Sequence, residues 1–235
     1  MNLTIQPQFH GPIYCETGHP WLYMAEPVNT LTNIFILIAA YLAFRQVGRS
    51  RVGYSADLSI LLLLLTCCGI GSFLWHGLRT MWALQLDWIP GVLFLFVFCG
   101  FWMRQLFGRL AGVLGALGLL VAMIASIWLS WRYLGAVQPT PSPLRFVPAF
   151  ATVALAGLGM VAATARKFGA SAASLGAVIL LCGVAAAVFR SIDLLVCPFI
   201  PFGTHFLWHI LLSTASYLSI VLLLRMKTQG KKVFG

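Results

Sequence analysis

The sequence predicts an all-α membrane protein, a seven-transmembrane helix bundle with its N-terminus outside and its C-terminus in the cytoplasm. Sixty per cent of the 235 residues are hydrophobic and only 9% are charged, and the mean hydropathy is +0.94. Soluble domains carry about 25% charged residues, so most of this chain needs the bilayer as its solvent. Long unbroken apolar runs favour helices, because the strands of a membrane barrel alternate between apolar and polar residues.

Seven stretches are long enough to cross a membrane, since a helical span needs about 20 predominantly apolar residues. A loop with three prolines at 135–144 marks the clearest break. We expect residues 1–235 to form a single membrane domain that contains these spans. An extracytoplasmic segment is predicted at 1–27 and a basic cytoplasmic tail at 226–235. The predicted spans lie near 28–45, 56–77, 84–104, 110–130, 145–164, 171–190 and 203–225.

The basic residues predict the orientation of the bundle. There are 15 Lys and Arg against 5 Asp and Glu, and they lie at the ends of apolar stretches instead of forming a patch for nucleic acid. This pattern is typical of topology determinants beside anionic lipids. With the N-terminus outside, most basic residues are cytoplasmic, and short loops and Ala-rich helices favour a bacterial inner membrane over an endomembrane. The outer side holds Arg79, Arg132, Arg145 and Arg190.

Rare ionisable residues collect at the predicted outer end of the bundle. Four of the five acids and all five histidines fall there, and only Asp57 lies at the cytoplasmic start of the second span. Ionisable groups at membrane depth are costly and by default mark function. The residues at the outer end are Glu16, Glu26, Asp87, Asp193, His10, His19, His76, His205 and His209.

Three of these histidines form a candidate zinc site. His76 ends the second span, and His205 and His209 share a helix face at the start of the seventh span. Three imidazoles from two helices suit a catalytic Zn²⁺, which keeps a fourth position open for water and lowers the pKa of that water to about 7. Three satisfied structural histidines are the alternative, and haem with two axial histidines is a further one.

A general base must come from outside the histidine motif, because Phe206 stands where metalloproteases carry a glutamate. Asp87, at the outer start of the third span, is the candidate base. Ser72, one helical turn before His76, could hydrogen-bond the water or a developing oxyanion. A serine bonded to a helix carbonyl and an aspartate favoured by the helix dipole are the structural alternatives.

Two further groups of residues are expected at the outer side. Cys15 and Cys197 both lie outside the spans, so a disulfide is expected in an oxidising compartment, with two free thiols as the alternative. Five tryptophans near this face are expected to be interfacial anchors. They are Trp21, Trp75, Trp82, Trp88 and Trp208.

These motifs resemble the alkaline ceramidase family, within a superfamily of seven-helix membrane hydrolases that includes the adiponectin receptors. The resemblance covers nearly the whole chain and thins from about 105 to 185. Each motif is short, but their order and spacing together are specific. They are Cys15-Glu16, Ala25-Glu26 with Asn29-Thr30 and Asn33, Gly71-Ser72 to His76, Asp87, Ile192-Asp193 with Cys197, and His205 to His209 with Ile210-Leu211.

The resemblance implies a function for each site residue. The family's zinc ligands match His76, His205 and His209. Its serine and aspartate beside the catalytic water match Ser72 and Asp87. Its disulfide matches Cys15 and Cys197. The implied reaction is zinc-dependent hydrolysis of the amide bond of ceramide, or of a related N-acyl lipid, to a sphingoid base and a fatty acid.

Two other classes of function stay open at this point. A seven-helix receptor or sensor would keep zinc without robust hydrolase turnover. A transporter or haem protein is the third class, although the lack of paired charges deep in several spans argues against an ion pump.

The resemblance also implies calcium regulation, with a cation held by the N-terminal segment and the start of the first span. Glu16 and Glu26 match calcium ligands of the family. However, Ile13 stands where an acidic ligand is expected, and Gly18 or His19 where an amide is expected. Calcium prefers about six to eight oxygen ligands. The alternative is that the two glutamates bond backbone amides or brace the segment.

Overall fold

The computed structural model describes residues 14–17, 24–134 and 143–233. Within these ranges the chain forms only helices and connecting turns, and seven helical segments are long and apolar enough to cross a membrane. The predicted multi-pass helical architecture is therefore confirmed. The helices are α1 (Pro27–Thr32), α2 (Ile34–Arg49), α3 (Ala56–Leu78), α4 (Met81–Phe107), α5 (Arg109–Leu134), a 3-10 helix (Pro143–Phe146), α6 (Val147–Phe168), α7 (Ala170–Val196) and α8 (His205–Val233).

The first span consists of two helices, α1 and α2, which meet at Asn33. The Asn33 side chain donates a hydrogen bond to the carbonyl of Asn29 at 2.7 Å. Both asparagines and Thr30 are fully buried. The short helix α1 packs against α3 and α8. Its polar side chains therefore face protein instead of lipid, at the end of the bundle where α3 finishes and α8 begins.

The helices pack in chain order and then close into a bundle. Each helix from α3 to α8 packs against the next, and α2 packs against both α3 and α8. Between α2, α3 and α8 lies a core of buried apolar side chains, which include Leu58, Leu61, Ile220 and Met226. The closure brings the end of α3 next to the start of α8, although the two segments are far apart in sequence.

The outer surface of helix α5 is apolar, as expected for a helix that contacts lipid. Its large apolar side chains are widely exposed, including Leu110, Val121 and Trp128. In water such a continuous apolar surface would drive association, whereas lipid accepts it and requires only that the backbone bond internally. The exposed apolar faces are therefore the lipid contact surface.

The helices α3 and α4 come into direct backbone contact at Gly71. A Cβ atom at this position would overlap the carbonyl group of Leu86 in α4. Small residues allow this kind of close approach between membrane helices. The contact sets Ser72, the next residue of α3, against Asp87, the next residue of α4.

A buried ion pair fastens the opposite end of the bundle. The Nζ atom of Lys227 lies 2.5 Å from Oδ2 of Asp57, and the hydroxyl of Ser55 donates to Oδ1 of the same carboxylate at 2.5 Å. This network ties the first turn of α3 to the last part of α8. The paired charges account for the presence of an acid away from the histidine end.

Some predictions about topology are refined and others stay predictions. Helix α8 continues to Val233, into the region predicted as a basic tail. Trp82 and Trp88 are exposed, but Trp75 is buried at 1% exposure, so the prediction that Trp75 is an interfacial anchor is wrong. The inside–outside orientation and the identity of the membrane stay predictions. His10, His19, Trp21 and the loop 135–142 lie outside the described residues.

We expect Gly71→Ala to destabilise the bundle, because the added methyl group must push α3 and α4 apart. Overpacking of this kind costs about 1–3 kcal/mol. The matched control is Gly118→Ala on α5, where an added Cβ meets no atom within 4 Å. Thermal unfolding in detergent, followed by a thiol-reactive dye, should show a lower midpoint for Gly71→Ala alone. Equal midpoints for the two variants would contradict the close helix contact.

Candidate metal centre

Three histidines from α3 and α8 meet at one end of the bundle. His76 lies in the last turn of α3, and His205 and His209 lie in the first turns of α8. All three are buried, and one nitrogen from each lies within 4.8 Å of the other two. The ring centroids are 4.6–5.1 Å apart. This group could hold one metal ion.

The donor set fits a divalent ion such as Zn²⁺. Among the described residues, Nε2 of His76 and Nδ1 of His205 are buried without a hydrogen-bond partner. Buried polar atoms normally have partners, and an exception calls for an explanation such as an ion. Neutral imidazole nitrogens are preferred ligands of zinc, and three protein ligands are typical of catalytic zinc sites.

Glu26 sets the orientation of His76. Its Oε2 atom lies 2.5 Å from Nδ1 of His76 and accepts a hydrogen bond from the side chain of Asn29 at 3.0 Å. Its Oε1 atom is 3.0 Å from Nε of Arg79. Because a carboxylate accepts at Nδ1, the proton of the imidazole stays there and Nε2 is left for a ligand. This is the arrangement in which a carboxylate supports a metal-binding histidine.

Thr32 performs a similar task for His209. The Thr32 hydroxyl lies 2.9 Å from Nδ1 of His209 and donates to the carbonyl of Val28 at 2.8 Å. Because the hydroxyl proton is used on the carbonyl, its oxygen accepts from Nδ1 of the imidazole. The Nε2 atom of His209 is thereby left for a ligand, as in His76.

His205 is placed through its backbone by Asp193. The Oδ1 atom of Asp193 accepts hydrogen bonds from the amides of Thr204 and His205 at 2.7 and 2.9 Å. The buried carboxylate thus satisfies amides at the N-terminus of α8, where negative charge is favoured. Gly203 precedes this turn with φ 66°, and a Cβ there would overlap Oδ1 of Asp193. Glycine is therefore required for the carboxylate to reach the helix terminus.

A disulfide between Cys15 and Cys197 ties the N-terminal segment to the end of α7, as predicted. The amide of Cys15 also donates to Oδ2 of Asp193 at 2.9 Å. These links hold Tyr14 over the histidines: its ring stacks on His205 with centroids 4.1 Å apart. Tyr14 is itself buried and forms one wall of the site.

Ser72 and Asp87 come together beside this group. Ser72 is buried, Asp87 is half-buried, and their side chains form a hydrogen bond. Ser72 lies one helical turn from His76 on α3, so it faces the same end of the bundle. Asp87 acts electrostatically on Tyr14, the ring that covers His205. The structure therefore brings both predicted catalytic residues to the neighbourhood of the three histidines.

The two glutamates proposed as calcium ligands are engaged in protein contacts. Glu16 accepts from the amides of Val28 and Asn29 at 2.5 and 2.8 Å, which caps the start of α1. Glu26 is bonded to His76 as described above. A calcium site stays a prediction, and the positions at which the family pattern departs from this chain, residues 13, 18 and 19, lie outside the described residues.

Burial shifts the pKa values of the groups outside the spans. It raises the pKa of Glu26 to about 7, against the opposing charge of Arg79. Burial likewise raises the pKa of Glu16, opposed by the amides of Asn29 and Val28. The pKa of Tyr14 is also raised by burial, with Arg190 opposing. A buried phenol of this kind stays protonated at neutral pH.

Sequence patterns did not reveal which residues orient the histidines. Thr32 and the ring of Tyr14 carried no predicted role, and Asn29 entered only as part of a family motif. Arg79 was expected only to lie at the outer side, and Glu26 was expected to bind calcium, bond backbone amides or brace the segment. A signal was present, because polar residues interrupt the start of an otherwise apolar first span. Their partners could not be read from spacing, since each bond joins the first span to a distant helix.

Fold and site together define a multi-pass membrane protein with a buried three-histidine group able to hold a metal ion. A family model described as Ceramidase matches residues 13–233, nearly the whole chain. The chain therefore belongs to the ceramidase family, which implies an amidohydrolase acting on ceramide. A search of curated proteins found no match.

We expect Glu26→Gln to weaken zinc binding by about 10- to 100-fold, because it removes the charge that supports His76. Zinc affinity is measured by competition with a chelator of known affinity. Asp57→Asn is the matched control, since it alters a buried carboxylate at the far end of the bundle. If both variants bind zinc as tightly as the wild-type protein, Glu26 does not support the metal centre.

Proposed function

We propose that this protein is a zinc-dependent amide hydrolase of the membrane that cleaves ceramide, or a related N-acyl lipid, to a sphingoid base and a fatty acid. The observation that carries the proposal is the convergence of three buried imidazoles with the Ser72–Asp87 pair at one end of the bundle. Membership of the ceramidase family supports the same reaction.

His76, His205 and His209 would hold the ion. When bound, Zn²⁺ supplies Lewis acidity, which polarises a carbonyl group and lowers the pKa of a water molecule. The protein's own contribution is to fix the tautomer of the rings. Glu26 and Thr32 do this for His76 and His209 by accepting a hydrogen bond from Nδ1, which leaves Nε2 for the ion.

Asp87 acts as the general base and then as the general acid. It accepts a proton from the water that attacks the amide carbon and delivers a proton to the nitrogen as the carbon–nitrogen bond breaks. The nitrogen leaves as the amine of the sphingoid base, and the acyl group leaves as a fatty-acid carboxylate. Ser72 holds the Asp87 carboxylate in place by donating its hydroxyl proton to it. Once Asp87 has taken the proton from water, the hydroxyl is released to donate to the developing oxyanion.

The surface beside Asp87 suits a substrate that arrives from the bilayer. Trp82, Leu86 and Trp88 lie on the same segment of α4 and are exposed. They are large apolar side chains at the helix end, where lipid chains and head groups meet. A lipid amide therefore reaches the site without leaving the membrane.

The activity test uses purified protein loaded with one equivalent of zinc and a set of ceramides and other N-acyl lipids of varied chain length. We expect release of free fatty acid from at least one of them, and loss of that activity on zinc removal with recovery on readdition. If every lipid stays intact in the presence of bound zinc, the amidase proposal fails.

We expect Asp87→Asn to reduce turnover by about 10²- to 10⁴-fold while zinc content stays unchanged, because only proton transfer is lost. His205→Ala should lose both zinc and turnover, and Asp57→Asn should keep both. Metal analysis beside single-turnover kinetics measures these outcomes. A zinc-containing receptor or sensor without hydrolase activity would instead be little affected by Asp87→Asn, which separates the two classes.

A further inference from the structure

Two arginines lie one aromatic ring away from the histidines. The guanidinium carbon of Arg190 on α7 is 4.6 Å from the centroid of the Tyr14 ring, and that of Arg79 is 5.3 Å from it. The same Tyr14 ring stacks on His205. Both positive charges therefore stand at the wall of the metal centre, brought there by α7 and by the end of α3.

Arg190 forms no direct ion pair with an acid in the described part of the chain, although its charge acts on the carboxylates of Glu26 and Asp87. The ion pairs there join Glu26 to His76 and Arg79, and Asp57 to Lys227. Arg190 is only half-buried and contacts the face of Tyr14. An arginine held at membrane depth without a directly paired carboxylate is costly, and such residues by default mark a ligand pathway.

Arg79 adds a second unused donor at the same place. Its Nε atom pairs with Glu26, but its buried Nη1 atom has no hydrogen-bond partner among the described residues. Two guanidinium groups beside one ring repel each other, and a further anion that contacts both lowers that repulsion. Guanidinium groups bind carboxylates through short, charge-assisted hydrogen bonds.

We infer that Arg190, with Arg79 beside it, forms an anion subsite that binds the carboxylate of the fatty-acid product. The inference rests on the proposed amidase function, since that reaction creates the anion next to these side chains. The uncharged amide of the substrate gains a weaker hydrogen bond from the guanidinium groups, whereas the product carboxylate gains a bond in which both partners are charged. The subsite therefore favours product over substrate and makes free fatty acid a competitive inhibitor.

The test compares two ligands of equal chain length, one with a charged carboxylate head group and one with an uncharged hydroxyl. Binding of radiolabelled oleate to the full-length protein in nanodiscs, with and without zinc, is measured beside binding of oleyl alcohol. We expect Arg190→Gln to weaken oleate binding by about tenfold or more, as for loss of a hydrogen bond to a charged group. Binding of oleyl alcohol should not change, and Arg190→Lys should restore part of the oleate affinity.

Arg132→Gln is the matched control, because Arg132 is an exposed arginine in the last turn of α5 and should leave both ligands unaffected. Unchanged oleate binding in Arg190→Gln would overturn the inference. A second outcome would also overturn it: Arg190→Gln abolishes a preference for ceramide 1-phosphate over ceramide but leaves oleate binding unchanged. The two arginines would then bind the lipid head group instead of the product carboxylate. Because the assay measures binding without turnover, its result is independent of the proposed amidase activity. If the protein cleaves no amide but binds oleate in a manner that depends on Arg190, the proposed function is wrong and the anion subsite is supported.

Discussion

The site depends on one constraint: an imidazole that is to bind a metal needs one nitrogen without a proton, and a protein acceptor at the other nitrogen fixes which one that is. Glu26 meets this need for His76 and Thr32 meets it for His209. Both partners come from the start of the first span, where α1 is short and polar. The polar residues at the start of the first span thus support a three-histidine group on other helices that is able to hold a metal ion.

The carboxylate of Asp193 holds the backbone in place on the other side of the site. Asp193 accepts amide hydrogen bonds from Cys15, Thr204 and His205. A disulfide from Cys15 to Cys197 then secures the N-terminal segment against α7. Acids that could each have been a ligand or a base are therefore divided by their contacts. Glu26 and Asp193 position other groups, and Asp87 stays beside Ser72 at the end of α4 that carries exposed aromatic side chains.

The position of the site in the membrane suits the proposed lipid substrate. A lipid amide has its reactive carbonyl at the head-group level and its chains in the bilayer, and the site lies at a helix end flanked by exposed aromatic side chains on α4. Hydrolysis changes the charge of the acyl fragment from neutral to negative. In the proposed reaction this charge appears close to Arg190 and Arg79, so substrate cleavage and product binding would share one end of the bundle.

Apolar run length by itself determined the seven spans, because the bilayer makes a helix of any stretch of about 20 apolar residues. The helical spacing of His205 and His209, the depth of His76 and the order of short motifs also identified the histidine group and the family. Tertiary structure alone decided the rest. The contacts of Glu26 with His76, Thr32 with His209 and Arg190 with Tyr14 join residues on different helices. Such contacts depend on which helix faces meet, and that is set by packing details such as the α3–α4 contact at Gly71, which no local pattern records.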